Sequence, residues 1–197
     1  MSATQYITGH GLPLRADVIL VDENDREIGA AQKLEAHQRN LLHRAFSVFI
    51  FRQTSHCELL LQQRALHKYH SPGLWTNTCC SHPRPGEKTI AAGERRLHEE
   101  LGIRISLKHL GTFHYNAHFA NGLSENEIDH VLVGTAEEGL VITPNKEEVH
   151  AYRWVRLDAL EDEIHAYPER FTPWFAQALA LAVHTPENAH IKSTPHS

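Results

Sequence analysis

Only three cysteines occur in 197 residues, Cys57, Cys79 and Cys80. An odd count with two adjacent thiols is no disulfide framework; it suits a reducing compartment, and a cytoplasmic location is expected. Long apolar runs are also missing. The best candidate, Trp174 to Val183, is about half of the ~20 residues that cross a bilayer, so no membrane partner is expected. The opening stretch MSATQYITGHGLPLRADVILVD has no basic start followed by an apolar block, and no secretory signal is read there. Internal repeats and low-complexity blocks are absent. So is a large charge of either sign, with 19 Lys+Arg against 24 Asp+Glu. The formal net charge of -5 is softened by 17 histidines. At an ordinary pKa of about 6.5, roughly a quarter of these imidazoles are protonated at pH 7, adding about +4. A near-neutral chain of this kind is not expected to bind nucleic acid through charge.

The histidine content is what stands out, and neutral imidazole is a common metal ligand. With 41% apolar and 22% charged residues, the composition is that of a soluble globular protein. The length suits one domain with a full core, over residues 1–184, with a loose N-terminal arm over 1–14 and a flexible polar tail over 185–197. Strands are expected at 17–22, 27–31, 45–51 and 58–64, with an extended WTNTCCSHP stopped by Pro83. Further strands are expected at 103–107, around 109–119, at 126–134 and at 148–155. The clearest helix is 87–102: Thr89 could cap it, Gly102 ends it, and Ile90, Leu97 and Leu101 share one face. A last helix starts near Pro173. Many strands with few helices predict an α+β fold, an α/β/α sandwich with mixed and antiparallel sheets.

Three local patterns carry chemistry, and each has a plain alternative. In SENEIDHV, residues two apart on a strand share a face, so Glu125 and Glu127 lie side by side. Paired carboxylates repel unless a cation or a shared proton lies between them, or unless they are only a solvated strand edge. In TNTCCSHP a thiol stands beside a histidine in a polar setting; it is either a reactive group or a small buried apolar one. On the helix, Glu99 and Glu100 pair at i,i+4 with Arg95 and Arg96. They are either an ordinary ion-paired surface or a place where Mg2+ meets a phosphate. His37, His43 and His82 are too far apart in sequence to form a local zinc-finger pair.

Resemblance joins these patterns. Arg95-Arg96-Leu97-His98-Glu99-Glu100-Leu101-Gly102-Ile103, with Glu87 eight residues before Arg95, resembles the Nudix box G-x5-E-x7-R-E-U-x-E-E-x-G-U. Ser81 stands where the box has its first Gly, and Arg96 replaces the Glu after the Arg. With TNTCCSHP (76–83), Ser124-Glu125-Asn126-Glu127 and Phe171-Thr172-Pro173-Trp174, the chain resembles the type I isopentenyl-diphosphate isomerase family from about Lys33 to Trp174. The resemblance implies a Nudix-like core over about 41–178 and a small-molecule prenyl diphosphate as the binding partner.

Within that resemblance, Cys80 and Glu127 are the proton-transfer residues, on opposite faces of the substrate. Tyr115 supports the catalytic Glu. His37, His43, His82, Glu125 and Glu127 hold one divalent metal; imidazoles with carboxylates suit Mn2+ or Zn2+. Glu100, with the backbone carbonyl of Cys80, holds Mg2+ on the diphosphate. Lys33, Arg64, Lys68 and Arg96 are the diphosphate cations, and Trp174 offers an indole face to a carbocation. The Glu-to-Arg exchange at Arg96 removes a metal ligand that the hydrolases use and adds a phosphate partner. Two rivals are a Nudix-type pyrophosphohydrolase and a non-catalytic His-rich metal-binding protein.

Overall fold

The structure of the protein, a computed structural model, describes residues 17–68 and 70–183. The expected arm and tail lie outside the described residues. The chain runs through β1 (Asp17–Val21), β2 (Glu27–Gln32), α1 (Lys33–Gln38), β3 (His43–Gln53), β4 (Cys57–Arg64), β5 (Trp75–Thr76) and β6 (Cys79–Ser81). It continues through α2 (Thr89–Leu101), β7 (Lys108–His118), β8 (Ser124–Thr135), β9 (Val149–Arg156), α3 (Leu157–Ala166) and α4 (Phe175–Val183). The strands join in one mixed sheet built around β3. Parallel β8 lies along one edge of β3; β1, β6 and β4 share the other, all antiparallel. β7 pairs with β8, and β9 with β4.

The run AFSVFIF is apolar on both faces because helices cover both sides of the sheet. Phe46, Val48 and Ile50 point into one core with Ala92, Leu97 and Leu101 of α2. Phe49 and Phe51 point into the other, with Leu160 of α3 and Phe175 and Ala178 of α4. The same alternation sends Leu132 of β8 to the first core and Val131 to the second. This is the α+β arrangement, helices on both faces of a mixed sheet, that the strand pattern predicts.

Local expectations differ in five places. Residues 103–107, expected as a strand, form no ladder: Ile103 and Leu107 are buried in the α2 core as irregular chain. Their apolar alternation reports burial in that core, not ladder pairing. Thr89 does not cap α2; it is the first helical residue, and the N-cap is Lys88, without a side-chain cap bond. Gly102 does end the helix, in the left-handed conformation at φ 71° that glycine adopts without strain. Ile90 lies outside the inward face at 38% exposure, whereas Leu97 and Leu101 are fully buried. Two further helices, α1 and α3, were not expected, and α4 begins two residues later than Pro173.

Candidate active site

The face of β3 that carries Phe49 and Phe51 into a core also carries Ser47 and His43 further back along the strand, where His37 of α1 meets His43. A cavity of about 770 Å³ opens there, and Cys80, His82, Glu100, Glu125, Glu127 and Trp174 all line it. Strand alternation decides which side chains enter. Glu125, Glu127 and Asp129 share one face of β8 and all three are buried. Alternation also separates the adjacent thiols: Cys79 packs in the α2 core, and Cys80, paired in register with Ser47, faces the cavity.

Register sets the centre. His43 of β3 and Tyr115 of β7 both pair with Glu127 of β8, one from each side. His37 arrives on α1, one turn after Lys33, so the two share a helical face. His82 follows β6. The ring centroids of His37, His43 and His82 lie 5.0–5.7 Å apart. One ligand atom from each, with a Glu127 oxygen, forms a group whose atoms all lie within 4.8 Å of one another. Glu127 Oε1 is 2.9 Å from His82 Nε2 and 3.3 Å from His43 Nε2. His43 Nδ1 is 2.8 Å from the carbonyl of Leu41. A proton on Nδ1 donates there and leaves the Nε2 lone pair facing the carboxylate, which is the tautomer a metal ligand needs.

The electrostatics fit a cation at this point. Burial lowers His37 to about 4 and His82 to about 3, with nearby Lys33 adding to both, so the rings are neutral ligands at pH 7. Burial pushes Glu127 upward, but contacts from His43 and His82 outweigh it and hold the carboxyl well below its usual range. Burial and the Glu127 charge push Glu125 well above its usual range. Glu125 Oε2 is buried with no hydrogen-bond partner among the described residues. The neutral imidazoles and the ionised Glu127 form a donor set that fits a divalent metal; Glu125 shares the strand face but is not in that four-residue group.

Glu100 faces the same cavity rather than solvent, although its helix partner Arg96 is the i,i+4 neighbour expected from sequence. Arg96 donates to Glu100 Oε1 at 2.6 Å, and Gln62 donates to Oε2 at 2.9 Å. Arg96 also meets Glu148 at 3.2 Å, and Glu148 pairs with Lys68. Lys33, Arg64, Lys68 and Arg96 all line the cavity, and Lys33 feels the charges of the other three. Burial lowers Lys33 to about 8, helped by repulsion from Lys68 and Arg64. A lowered lysine pKa means folding is penalised below about pH 8, and the penalty fades as pH rises from 8 toward the unfolded value. Lys33→Met is therefore expected to stabilise the free protein, by on the order of 2 kcal/mol, while weakening inorganic pyrophosphate binding. Thermal unfolding and pyrophosphate titration at pH 7 check both; a variant that lost stability and kept the parent's affinity would contradict the assignment. In the unaltered protein, pyrophosphate affinity should fall between pH 7 and 9 as Lys33 loses its proton.

Cys80 is pushed up to about 12 by burial and by Asp129, with Ser47 and Trp174 acting the other way. Its Sγ donates to Asn77 Oδ1 at 2.9 Å, and Asn77 is clamped by its own amide to the carbonyls of Val48 and Cys79. Trp174 is brought over the cavity by the 171–174 segment. That segment is tied to β5 by the Thr172 backbone N–H on the Trp75 carbonyl and by the Thr172 hydroxyl on Thr76. The indole lies 5.6 Å from the Arg64 guanidinium and 6.1 Å from the Tyr115 ring. The Tyr115 hydroxyl is buried without a hydrogen bond among the described residues, so it lies beside Glu127 rather than bonded to it.

Twelve of the thirteen residues singled out from sequence line this cavity or belong to its metal-ligand group; Tyr115 lies beside them, in register with Glu127. Sequence reasoning missed Gln62, His70, Asp129 and Glu148. Asp129 had a signal, since it continues the i,i+2 alternation of Glu125 and Glu127; the other three come from separate strands and loops with no local pattern.

Residues 41–175 match the NUDIX domain family. The isopentenyl-diphosphate Delta-isomerase of Photobacterium profundum is 49% identical over 173 residues, covering 86% of this chain and 96% of that protein. The enzyme of the same name from Rhodobacter capsulatus is 52% identical over 144 residues, covering 73% of this chain and 80% of the relative. In structure, the DR0079 protein of Deinococcus radiodurans superposes with a TM-score of 0.64 at 17% identity, over 84% of this chain and 97% of that one, which shows the shared fold alone. On the strength of these matches, the chain belongs to the isopentenyl-diphosphate Delta-isomerase family, within the Nudix fold.

Proposed function

We propose that the protein interconverts isopentenyl diphosphate and dimethylallyl diphosphate in isoprenoid biosynthesis, by proton addition and removal through a carbocation-like intermediate. The observation that carries this is the convergence on one cavity of a thiol, a carboxylate within an imidazole cluster, and four cationic side chains. Lys33, Arg64, Lys68 and Arg96 bind the diphosphate and fix the direction in which the five-carbon tail points. The tail then lies along β3, between Cys80 from the strand on one edge and Glu127 from the strand on the other.

Cys80 and Glu127 exchange protons with the substrate from opposite faces. In the direction of dimethylallyl diphosphate, a proton is added to the terminal CH2, leaving a tertiary cation at C3, and one is taken from C2. The reaction reverses, so each residue serves as acid in one direction and base in the other. Buried walls keep bulk water from intercepting the cation, and the Trp174 face stabilises it, worth about 2 kcal/mol when desolvated. His37, His43, His82, Glu127 and Glu125 would hold Mn2+ or Zn2+, and Glu100 with the Cys80 carbonyl would hold Mg2+. The first ion would make a proton carried by Glu127 more acidic. Arg96, held at 2.6 Å from Glu100, places a cation where hydrolytic relatives of the box carry a ligand, so the site grips the diphosphate without activating it for attack. The role requires Cys80 as a free thiol, which suits the cytoplasm. Among the described residues no helix is long and apolar enough to cross a membrane.

Incubation with isopentenyl diphosphate in deuterated water tests this reading against a pyrophosphohydrolase. Deuterium in the dimethylallyl product with no phosphate released is expected. Orthophosphate or a monophosphate product would overturn it.

A further inference from the structure

His70 is a fourth imidazole at the cavity wall, 9% exposed, and no sequence pattern pointed to it. Its ring centroid is 6.1 Å from that of His37, 5.7 Å from Phe119 and 6.2 Å from Trp174. Its Nε2 is 2.8 Å from Glu125 Oε1. Arg64 Nη2 lies 3.3 Å from the same nitrogen, but one Nε2 cannot both donate to a carboxylate and accept from a guanidinium. The shorter, charge-assisted contact decides: with Glu125 ionised, as metal binding requires, Nε2–H donates to Oε1. Arg64 has other acceptors, the carbonyls of His70 and Ser71, each at 3.2 Å.

Those two bonds hold the loop that carries His70. Ser71 sits at φ 48°, an uncommon conformation for a side-chain-bearing residue, and the chain then returns through Gly73, whose N–H donates to the Arg64 carbonyl at 3.2 Å. The imidazole is therefore presented on a braced turn rather than a free one. On Glu125, one oxygen is taken by His70 and the other, Oε2, has no hydrogen-bond partner among the described residues.

We infer that His70 is a positioning residue of the metal centre: its Nε2–H holds Oε1 of Glu125, so that Oε2 is the oxygen presented to the metal. This rests on the metal centre proposed above. Outer partners that fix a ligand in this way change metal affinity by about 10–100-fold when removed. The arrangement also ties the two halves of the site together, because Arg64 braces His70 with the same side chain that would meet the diphosphate.

The test uses full-length protein stripped of metal and titrated with Mn2+, read from the EPR signal of the free ion. His70→Phe is expected to weaken the tight site by about 10–100-fold, while the unfolding temperature of the metal-free protein stays near that of the parent. His70→Gln, whose amide can still donate, should recover most of the affinity. Unchanged affinity in His70→Phe, or equal weakening in both variants, would overturn the inference, the second because it assigns the loss to packing. His82→Ala separates the two readings: if it binds Mn2+ as tightly as the parent, the metal centre itself is misplaced and the role of His70 falls with it.

Discussion

Glu127→Gln is expected to lower isomerisation by roughly 10³–10⁵-fold while leaving the fold in place. The estimate combines loss of a positioned acid/base, about 10²–10⁴, with a weakened metal centre, about tenfold or more. The amide has the shape of the carboxylate and can still accept from His82, which sits 2.9 Å away in the parent. It cannot carry the charge that draws a divalent ion, and it cannot hold a transferable proton. Stability should change little because two effects oppose. Glu127 is ionised in a buried site and raises both Glu125 and Asp129, so removing its charge relieves them. The imidazole contacts that hold its pKa down are lost. Since a depressed carboxyl pKa contributes stability above the unfolded value and loses it as pH falls through the folded one, the variant should also unfold less readily than the parent in acid, relative to its stability at pH 7. Turnover, metal content and acid unfolding measured on the same preparation check the set. Full turnover in the variant would remove Glu127 from the mechanism.

The second large effect separates the two adjacent thiols. Cys80→Ala is expected to lower turnover by about 10²–10⁴-fold with little change in stability, because the side chain faces the cavity. Cys79→Ala should do the reverse. Cys79 is fully buried among Phe46, Val48 and Leu97 with its thiol against Glu100, which Arg96 and Gln62 also hold, so removing its sulfur costs on the order of 1 kcal/mol of stability and leaves turnover within a few-fold of the parent. The contrast is demanding, since the residues are chemically identical and one bond apart in the chain. Only strand alternation distinguishes them. Measured rates and unfolding midpoints for both variants would contradict the assignment if Cys79→Ala were the inactive one.

That distinction also shows what could be read without coordinates. The pattern of TNTCCSHP marked a thiol near a histidine but not which thiol, because the choice depends on which face of β6 meets the cavity. Glu125 and Glu127 were legible as a pair, since their spacing on one strand is enough. Strand β3 and helix α2 were legible for the same reason: each element's periodicity reports its own burial. The imidazoles were not. His37, His43 and His82 come from a short helix, a central strand and the residue after β6; only His43 meets Glu127 through the parallel β3–β8 register, and the other two arrive from separate elements. Nothing local encodes that pairing, so their grouping came from resemblance alone. Helix α1, which brings Lys33 and His37 to the cavity, has six residues and no side-chain cap, too little for a propensity argument. Residues 103–107 show the opposite failure. Their alternation is that of a strand, yet their apolar side chains fill the α2 core from irregular chain.

The account depends on one carboxylate serving both as metal ligand and as proton carrier, with Cys80 facing it across the substrate. The most direct measurement is a crystal structure of the Mn2+- or Zn2+-loaded protein with isopentenyl diphosphate or a non-reactive analogue, with anomalous scattering at the metal edge. The account predicts an ion about 2.0–2.2 Å from the three imidazoles and from Glu127, and the hydrocarbon tail between Glu127 and the Cys80 sulfur. An anomalous peak found only on the diphosphate, with the imidazole cluster holding nothing but its own hydrogen bonds, would contradict it.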